Sequence, residues 1–418
     1  MRSTVTAVIA LGLAVDPVPA FAQAAHTVPL VSVVETVREK NPEIAAAAKR
    51  WEAALARVPQ SKSLEDPQIS LSAQRTPGSP FSIGRTPASE QMLTFSQFLP
   101  FFGKLPLKGK MAAVDAQIAA ADYKRIELDT VDTAKQAYFD LFINYKEEEL
   151  NRRSMIYLQG LAKVAEARYA SSPDMPQADI LKIDLEIARL KTTMLNLAEE
   201  RAAKQARMNY LMGNAPDAAE VVPEALEDVI AVGRVEELYK STLVNEPELL
   251  MFQYAIERNR YATSLAKKSV FPDFTAAITK RGLGLWDLML SFTVPLWYWT
   301  KQKYEIKEAV ANLEEAEAAY AAMTNKALAE TKERFIRTRT AYNKISLYKQ
   351  NLLPLLESSI ASSQSAYQSG KGDFMALLDS QRMLIDTRLE YYRAVAEFNM
   401  AVADLERETG SELRGVRL

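Results

Sequence analysis

The residues that most often carry chemistry are sparse in this chain and wrongly spaced for it. There is no cysteine and a single histidine, His26. That removes thiolate nucleophiles and thiolate metal sites, and leaves no material for a His-based metal centre or a Ser-His-Asp triad. Carboxylates are plentiful but lie in helical charge runs. Glu147, Glu148 and Glu149 are flanked by Lys146, Arg152 and Arg153, and Glu314, Glu315 and Glu317 form a similar run. Both read as solvated helix faces. No carboxylate pair sits in a glycine-rich or pocket-like context, so glycosidase chemistry has no support. Gly282-Leu283-Gly284 reads as a hairpin turn rather than a phosphate cradle, and no Walker or dinucleotide glycine pattern occurs. The expectation is no enzyme, no cofactor, and no catalytic or metal-ligating residue. Asp379 opens the last helical run and, read alone, is a carboxylate favoured by the helix dipole.

Charge and the first residues bound the class of partner and the compartment. The 418 residues carry a formal charge of −2, so no basic excess points to nucleic acid. Arg2, the apolar run Val5 to Val15 and Ala20-Phe21-Ala22 read as a signal peptide cleaved near Ala22. No later stretch is apolar enough for a spanning helix, so a membrane crossing must use strands.

The chain also repeats itself. Asn41-Pro42-Glu43 opens one helix and Asn245-Glu246-Pro247-Glu248 opens another. Each leads to a proline-flanked strand pair, then a proline–aromatic cluster, then about 65 residues of helical pattern, roughly 100 Å of helix. A returning helix ends each copy in Gly213 or Gly410. The expected division is a signal peptide over 1–22, a first repeat over 23–213, a linker over 214–246, a second repeat over 247–410 and a tail over 411–418. The hairpins are expected over about 66–98 and 273–294, and the helical hairpins over about 105–212 and 302–409. One short helix is expected in the linker, near Val235 to Val244.

Within each hairpin, apolar and polar residues alternate. Ile69, Leu71 and Ala73 face one way, as do Leu93 and Phe95, then Phe274, Ala276 and Ile278, then Leu288, Leu290 and Phe292. Period 2 with one apolar face fits either a soluble amphipathic hairpin or a tilted membrane strand. Phe98, Phe101 and Phe102 at one strand exit, and Trp297, Tyr298 and Trp299 at the other, favour the membrane, because aromatic rings concentrate at its interfaces. The helices carry heptads: Leu377, Leu384, Tyr391, Phe398 and Leu405 in the last, and Leu328, Phe335 and Tyr342 in the long helix before it. Such seams pack against partner helices.

Four strands cannot close a barrel, and lipid does not tolerate unpaired strand edges. A spanning chain must share its strands with further copies: two copies give eight strands and three give twelve. A trimer of two-fold repeats sets six similar units about one axis.

These features together resemble the TolC family of outer-membrane efflux channels. The resemblance covers the mature chain. Its most specific match is the run from Tyr367 to Asp379, Tyr-Gln-Ser-Gly-Lys-Gly-Asp-Phe-Met-Ala-Leu-Leu-Asp, which looks like the family's second hairpin tip. Gln97 to Lys104 resembles the first strand exit, and Phe102 to Lys110 is similar to channels of heavy-metal efflux systems. The resemblance implies a mainly α fold, with long antiparallel coiled-coil helices forming an α-barrel and four strands per chain in a shared 12-stranded β-barrel. It implies a homotrimer in outer-membrane lipid, working with a periplasmic adaptor and an inner-membrane pump of the RND type. It places Asp379, with Asp373 as a possible substitute partner, at the pore constriction. Ser172, Pro173, Asp174, Ser369, Gly370, Lys371 and Gly372 fall at the partner-docking tips. Here the first tip has prolines where the family has glycine, and Ala376 stands where a second acidic ring would be. Two rival readings stay open: a periplasmic coiled-coil scaffold or adaptor, and a secreted helical pore-former. Recovery as a detergent-requiring trimer separates the channel from both.

Overall fold

The computed structural model describes residues 27–74, 90–171, 177–226, 233–282, 284–369, 374–411 and 413. The first half runs β1 (Thr27–Val28), α1 (Leu30–Lys40), α2 (Pro42–Lys62), β2 (Gln68–Gln74), β3 (Glu90–Leu99), α3 (Lys104–Ser171) and α4 (Gln177–Leu211). β4 (Val222–Pro223) and α5 (Val235–Asn245) lead to α6 (Pro247–Lys268), β5 (Phe274–Arg281), β6 (Leu285–Phe292), α7 (Gln302–Leu347), α8 (Leu353–Gln368) and α9 (Phe374–Thr409).

Local chemistry sets the element ends. Pro42 and Pro247 stand at the first helical positions of α2 and α6, where a missing N–H costs nothing. Gly213 and Gly410 adopt φ of +71° and +62° just past α4 and α9, the left-handed geometry that glycine allows at a helix end. The Asn214 amide closes the first of these turns on the Asn209 carbonyl at 2.8 Å.

α3 holds 68 residues, about 100 Å at the α-helical rise. It lies beside α2 and α6 near its start, and beside α4 and α9 further along. Midway, Tyr138, Leu141 and Phe142 of α3 form the main core with Val33, Val37, Ile44, Met208 and Ala403. At the far end, Leu158 and Ala165 of α3 meet Ile183 of α4, Tyr367 of α8, and Phe374, Leu377 and Leu378 of α9. This cluster binds the two helical hairpins together near their tips.

The hairpins form one four-stranded antiparallel sheet, ordered β2-β3-β5-β6. Phe95 stands opposite Ile69 on one side and opposite Ile278 on the other. The central β3–β5 pairing therefore joins the two halves of the chain. Its register keeps Ile69, Leu71, Leu93, Phe95, Ile278, Leu288, Leu290 and Phe292 on one face, because residues directly opposite share a face.

Several expectations need correction. The second long helix is not uninterrupted: α7 passes through a π-helical segment, Tyr348–Leu352, into α8. Pro354 sits in the first turn of α8. It has no N–H to give and its ring crowds the preceding turn, which the wider π turn relieves. The buried seam of α7 runs through Met323, Ala327, Thr331, Thr338, Ala341 and Ile345, and Leu328, Phe335 and Tyr342 flank it half-buried. Glu147, Glu148 and Glu149 are half-buried rather than solvated. Glu148 pairs with Arg201 of α4, and Glu147 with Arg393 of α9 at 3.5 Å. The parallel pairing of β1 with β4 had no sequence signal. Tyr138 secures it, donating to the Val28 carbonyl and accepting from the Glu224 amide, both at 2.8 Å.

Candidate functional site

Three regions carry the molecule's unusual chemistry: the sheet with its exits, the helical tip, and a charge network between them. The sheet's apolar face is bare. Leu71 and Leu288 are 77% and 82% exposed, and Ile69, Leu93, Phe95, Ile278, Leu290 and Phe292 are exposed beside them. Trp286 ends this face at the hairpin side, opposite Lys280, whose Nζ lies 5.8 Å from the indole centroid. Trp286 and Phe292 stand six residues apart, roughly 20 Å along the strand. The Trp297–Trp299 segment prolongs that stretch toward the apolar band of about 25 Å that outer-membrane barrels present. The opposite face is mixed, its serines, threonines and charges interrupted by Phe98, Leu285 and Met289. There the Thr94 and Thr279 hydroxyls share a hydrogen bond at 2.9 Å, and Arg281 pairs with Asp287.

The strand-exit aromatics divide into two groups. Trp297 and Trp299 are 71% and 72% exposed, and Tyr298 and Phe102 are exposed with them. Phe101 is half-buried, stacked on Phe271 with centroids 4.5 Å apart. Phe98 is half-buried and faces Thr275 across the sheet. The exits are locked by Asp273, which accepts from the Phe101 amide at 2.7 Å and from Lys104 Nζ at 2.8 Å.

At the tip, Asp379 lies in the first turns of α9 with its side chain exposed. Among the described residues it pairs with Arg382, at 3.8 Å. Arg382 also makes a two-pronged ion pair with Glu186 of α4, through Nε at 3.1 Å and through Nη2. That bond raises the already high pKa of the guanidinium. Neither Arg382 nor Glu186 was expected from the sequence. Ser369 ends α8 in an exposed turn. Asp373, Ser172, Pro173, Asp174, Gly370, Lys371 and Gly372 lie outside the described residues.

Between sheet and tip, α3, α7 and α9 meet in a charge network. Arg334 of α7 bonds Glu408 at 3.1 Å and reaches Asp404 at 3.5 Å. Arg407 bonds Asp129 at 3.0 Å, Lys135 bonds Glu406 at 2.6 Å, and Gln136 donates to both Asp132 and Asp404 at 3.0 Å. Burial and the neighbouring Asp404 charge push the Asp132 carboxyl up to about 7. Burial also raises Glu408. Glu246 is pushed to about 8 by burial and by the charges of Glu408 and Glu248. These carboxylates sit in packed helix contacts. Among the described residues no group of His, Cys, Asp or Glu is placed to hold a metal ion, and no helix is long and apolar enough to cross a membrane.

A bare apolar sheet continued by long helical hairpins is the shape of an outer-membrane duct. The sequence model of the outer membrane efflux protein family matches residues 33–172 and 238–411. The chain belongs to that family. It is 22% identical over 405 residues to the cobalt-zinc-cadmium resistance protein CzcC of Cupriavidus metallidurans, covering 94% of this chain and 93% of CzcC. It is 18% identical over 330 residues to the cation efflux system protein CusC of Escherichia coli, covering 73% of this chain and 70% of CusC. Its fold overlays on the outer-membrane channel OprN with a TM-score of 0.77 at 18% identity, across 91% of this chain and 90% of OprN. The efflux-family fold expected from the duplicated unit is the one observed: helical hairpins run on from a four-stranded sheet.

Proposed function

We propose that three copies of this efflux-family protein form the passive outer-membrane exit duct of a tripartite system, and that its cargo is transition-metal cations. The single observation that carries the reading is the sheet. It has a bare apolar face, and strands β2 and β6 each have only one partner in its order β2-β3-β5-β6. Such edges are excluded from lipid unless they pair, and three four-stranded sheets close a twelve-stranded barrel with room for a channel. The helical hairpins then extend into the periplasm. Their tips meet an adaptor that couples the duct to an inner-membrane pump of the RND type. No catalytic step is assigned to the chain; the pump supplies the energy. The signal peptide is removed near Ala22, so the mature chain starts at Gln23.

The cargo assignment rests on what CzcC and CusC are named for, resistance to cobalt, zinc and cadmium and efflux of cations. A deletion strain tests it. Sensitivity to cobalt, zinc, cadmium, copper or silver, with unchanged sensitivity to dyes and antibiotics, supports metal export. The reverse profile overturns it. Native mass measurement in detergent tests the assembly: a trimer is expected, and a water-soluble monomer would sink the duct.

A further inference from the structure

The strand exits carry a collar of lysines that no carboxylate neutralises among the described residues. Lys62 ends α2, Lys108 and Lys110 lie in the opening turns of α3, Lys268 ends α6, and Lys301 and Lys303 stand at the start of α7. The four helix ends are knitted into one surface. The Lys62 stem lies so close over Gly109 that no Cβ fits there. Lys268 Nζ is 3.4 Å from the Phe102 carbonyl and 6.0 Å from the Phe101 ring. The Ser269 hydroxyl joins α6 to α7 by donating to Glu305 at 3.1 Å.

Lys104, in the same region, is neutralised by Asp273. The six collar lysines pair with no carboxylate among the described residues. Lys110 Nζ lies 5.4 Å from the Tyr261 ring centroid, a contact that leaves its charge without a counter-ion. Positive charge near a helix N-terminus opposes the macrodipole; the first turn of α3 contains no acid to offset it, and that of α7 contains one, Glu305. The same surface exposes Phe102, Trp297 and Trp299, with Lys303 Nζ 5.6 Å from the Trp299 ring. It begins where the apolar face of the sheet ends, at Leu99 and Phe292. Indoles at headgroup depth beside ammonium groups are complementary to a phosphate-bearing lipid surface.

We propose that this collar binds the phosphate headgroups of anionic glycerophospholipids in the membrane leaflet that faces the helical part of the molecule. The proposal rests on the membrane reading of the sheet. It assigns the collar to phospholipid rather than lipopolysaccharide, because the opposite leaflet meets the hairpin end of the sheet, where Arg281 is already paired with Asp287. Each ammonium near an anionic surface contributes roughly fivefold to binding, an effect that salt screens.

The test uses the full mature protein purified in detergent, titrated with phosphatidylglycerol, phosphatidylcholine or lipid A. Retained lipid is read by native mass spectrometry and protection by the thermal midpoint. The wild type should prefer phosphatidylglycerol to phosphatidylcholine by about tenfold or more at low salt, and lose most of that preference at high salt. A Lys108→Gln, Lys110→Gln, Lys301→Gln, Lys303→Gln variant should lose it at any salt, and the corresponding four-arginine variant should keep it. Equal retention of the two phospholipids by the wild type, or undiminished preference in the glutamine variant, overturns the collar. So does a preference for lipid A over phosphatidylglycerol that the glutamine variant loses. Insertion into phosphatidylcholine vesicles is the separate check. A wild type that inserts there while failing the preference test sinks only the collar; one that inserts nowhere and stays soluble without detergent sinks the membrane reading.

Discussion

Glu246 occupies in the second repeat the place that Asn41 holds in the first. Both immediately precede the opening proline of a helix, at φ, ψ of −68°, 124° for Asn41 and −66°, 118° for Glu246. Both are nearly inaccessible, at 3% and 6% exposure. Asn41 is fully used: its side-chain amide donates to the Leu211 carbonyl at 2.8 Å and its oxygen accepts from the Glu43 amide at 2.8 Å. Glu246 makes no capping bond, and its Oε2 is buried without a partner among the described residues. Glu408 stands two residues before Gly410, as Leu211 stands two before Gly213, so a carboxylate also replaces an apolar neighbour.

The consequence is a pH-dependent joint. The groups facing Glu246 are Glu408 of α9, Glu248 of α6, and Glu330 and Lys326 of α7; burial and the three carboxylates raise its carboxyl from 4.5 to about 8, against a smaller opposing pull from Lys326. Below 4.5 folded and unfolded chains are both protonated and no penalty exists. Between 4.5 and 8 the folded chain holds a proton that the unfolded chain has lost, so stability falls as pH rises, and the full penalty stands above 8. Asp132, raised to about 7, adds to the same slope. Glu246→Gln should flatten the decline and stabilise the protein at pH 8 by about 1–2 kcal/mol, allowing for the solvent that still reaches the site. Thermal midpoints in detergent at pH 5 and pH 8 measure it. An unchanged slope in the variant would show that other groups set it.

Asn41 gives the converse case. Asn41→Ala removes both the cap and the bond that ties α2 to the end of α4, and should cost about 2 kcal/mol. Asn41→Asp keeps the capping oxygen but loses the donor to the Leu211 carbonyl, leaving a carboxylate facing a carbonyl. If thermal melts show the aspartate variant as stable as wild type, the Leu211 bond contributes nothing.

The two end glycines should be intolerant and a third should not. A Cβ on Gly213 would stand 2.5 Å from the Lys40 carbonyl, and one on Gly410 would stand 2.5 Å from the Asn245 carbonyl. Both residues have positive φ, so alanine at either should cost about 1–3 kcal/mol. Gly160 lies inside α3 with nothing within 4 Å of its Cβ position, and Gly160→Ala should gain about 0.5–1 kcal/mol. The three melts, run side by side, check the sign at each position.

How far the sequence could be read follows from the kind of contact involved. The four strands were legible because Leu288, Leu290 and Phe292 alternate with polar residues at period 2, and such a face needs no partner to be recognised. The seam of α7 was not. Thr331 and Thr338 are buried by returning their hydroxyls to the Ala327 and Arg334 carbonyls, and Thr331 also meets Thr242 of α5 at 2.9 Å. A reading that follows large apolar side chains passes over such positions and selects Leu328 and Phe335 beside them. The roles of Glu147 and Glu148 were hidden for another reason. Arg393 and Arg201 are remote in sequence, and spacing within one helix carries no trace of them. At the tip, a charge at Arg382 or Glu186 looks like any exposed helical charge until the hairpins are packed together.

That tip pair supports the last prediction. Arg382 stands between Asp379, one turn earlier on α9, and Glu186 on α4, so it both couples the two hairpins and screens the proposed pore acid. Arg382→Ala should loosen the hairpin contact and unmask Asp379. In planar bilayers this gives higher conductance and stronger block by multivalent cations. Asp379→Ala should weaken that block without loosening the contact, because Glu186 still holds Arg382. The pair is partly exposed, so a double-mutant cycle with Glu186→Gln and Arg382→Gln should return a coupling of only about 0.5–1 kcal/mol in stability, while the conductance change exceeds what that loss accounts for. The charge-swapped pair Glu186→Arg, Arg382→Glu separates coupling from local charge. It should restore tight hairpin contact and low conductance, yet place a second acid beside Asp379 and increase cation block. If the swapped protein conducts as Arg382→Ala does, the two hairpins are not held by this pair, and the apolar cluster of Ile183, Leu377 and Leu378 sets the tip alone.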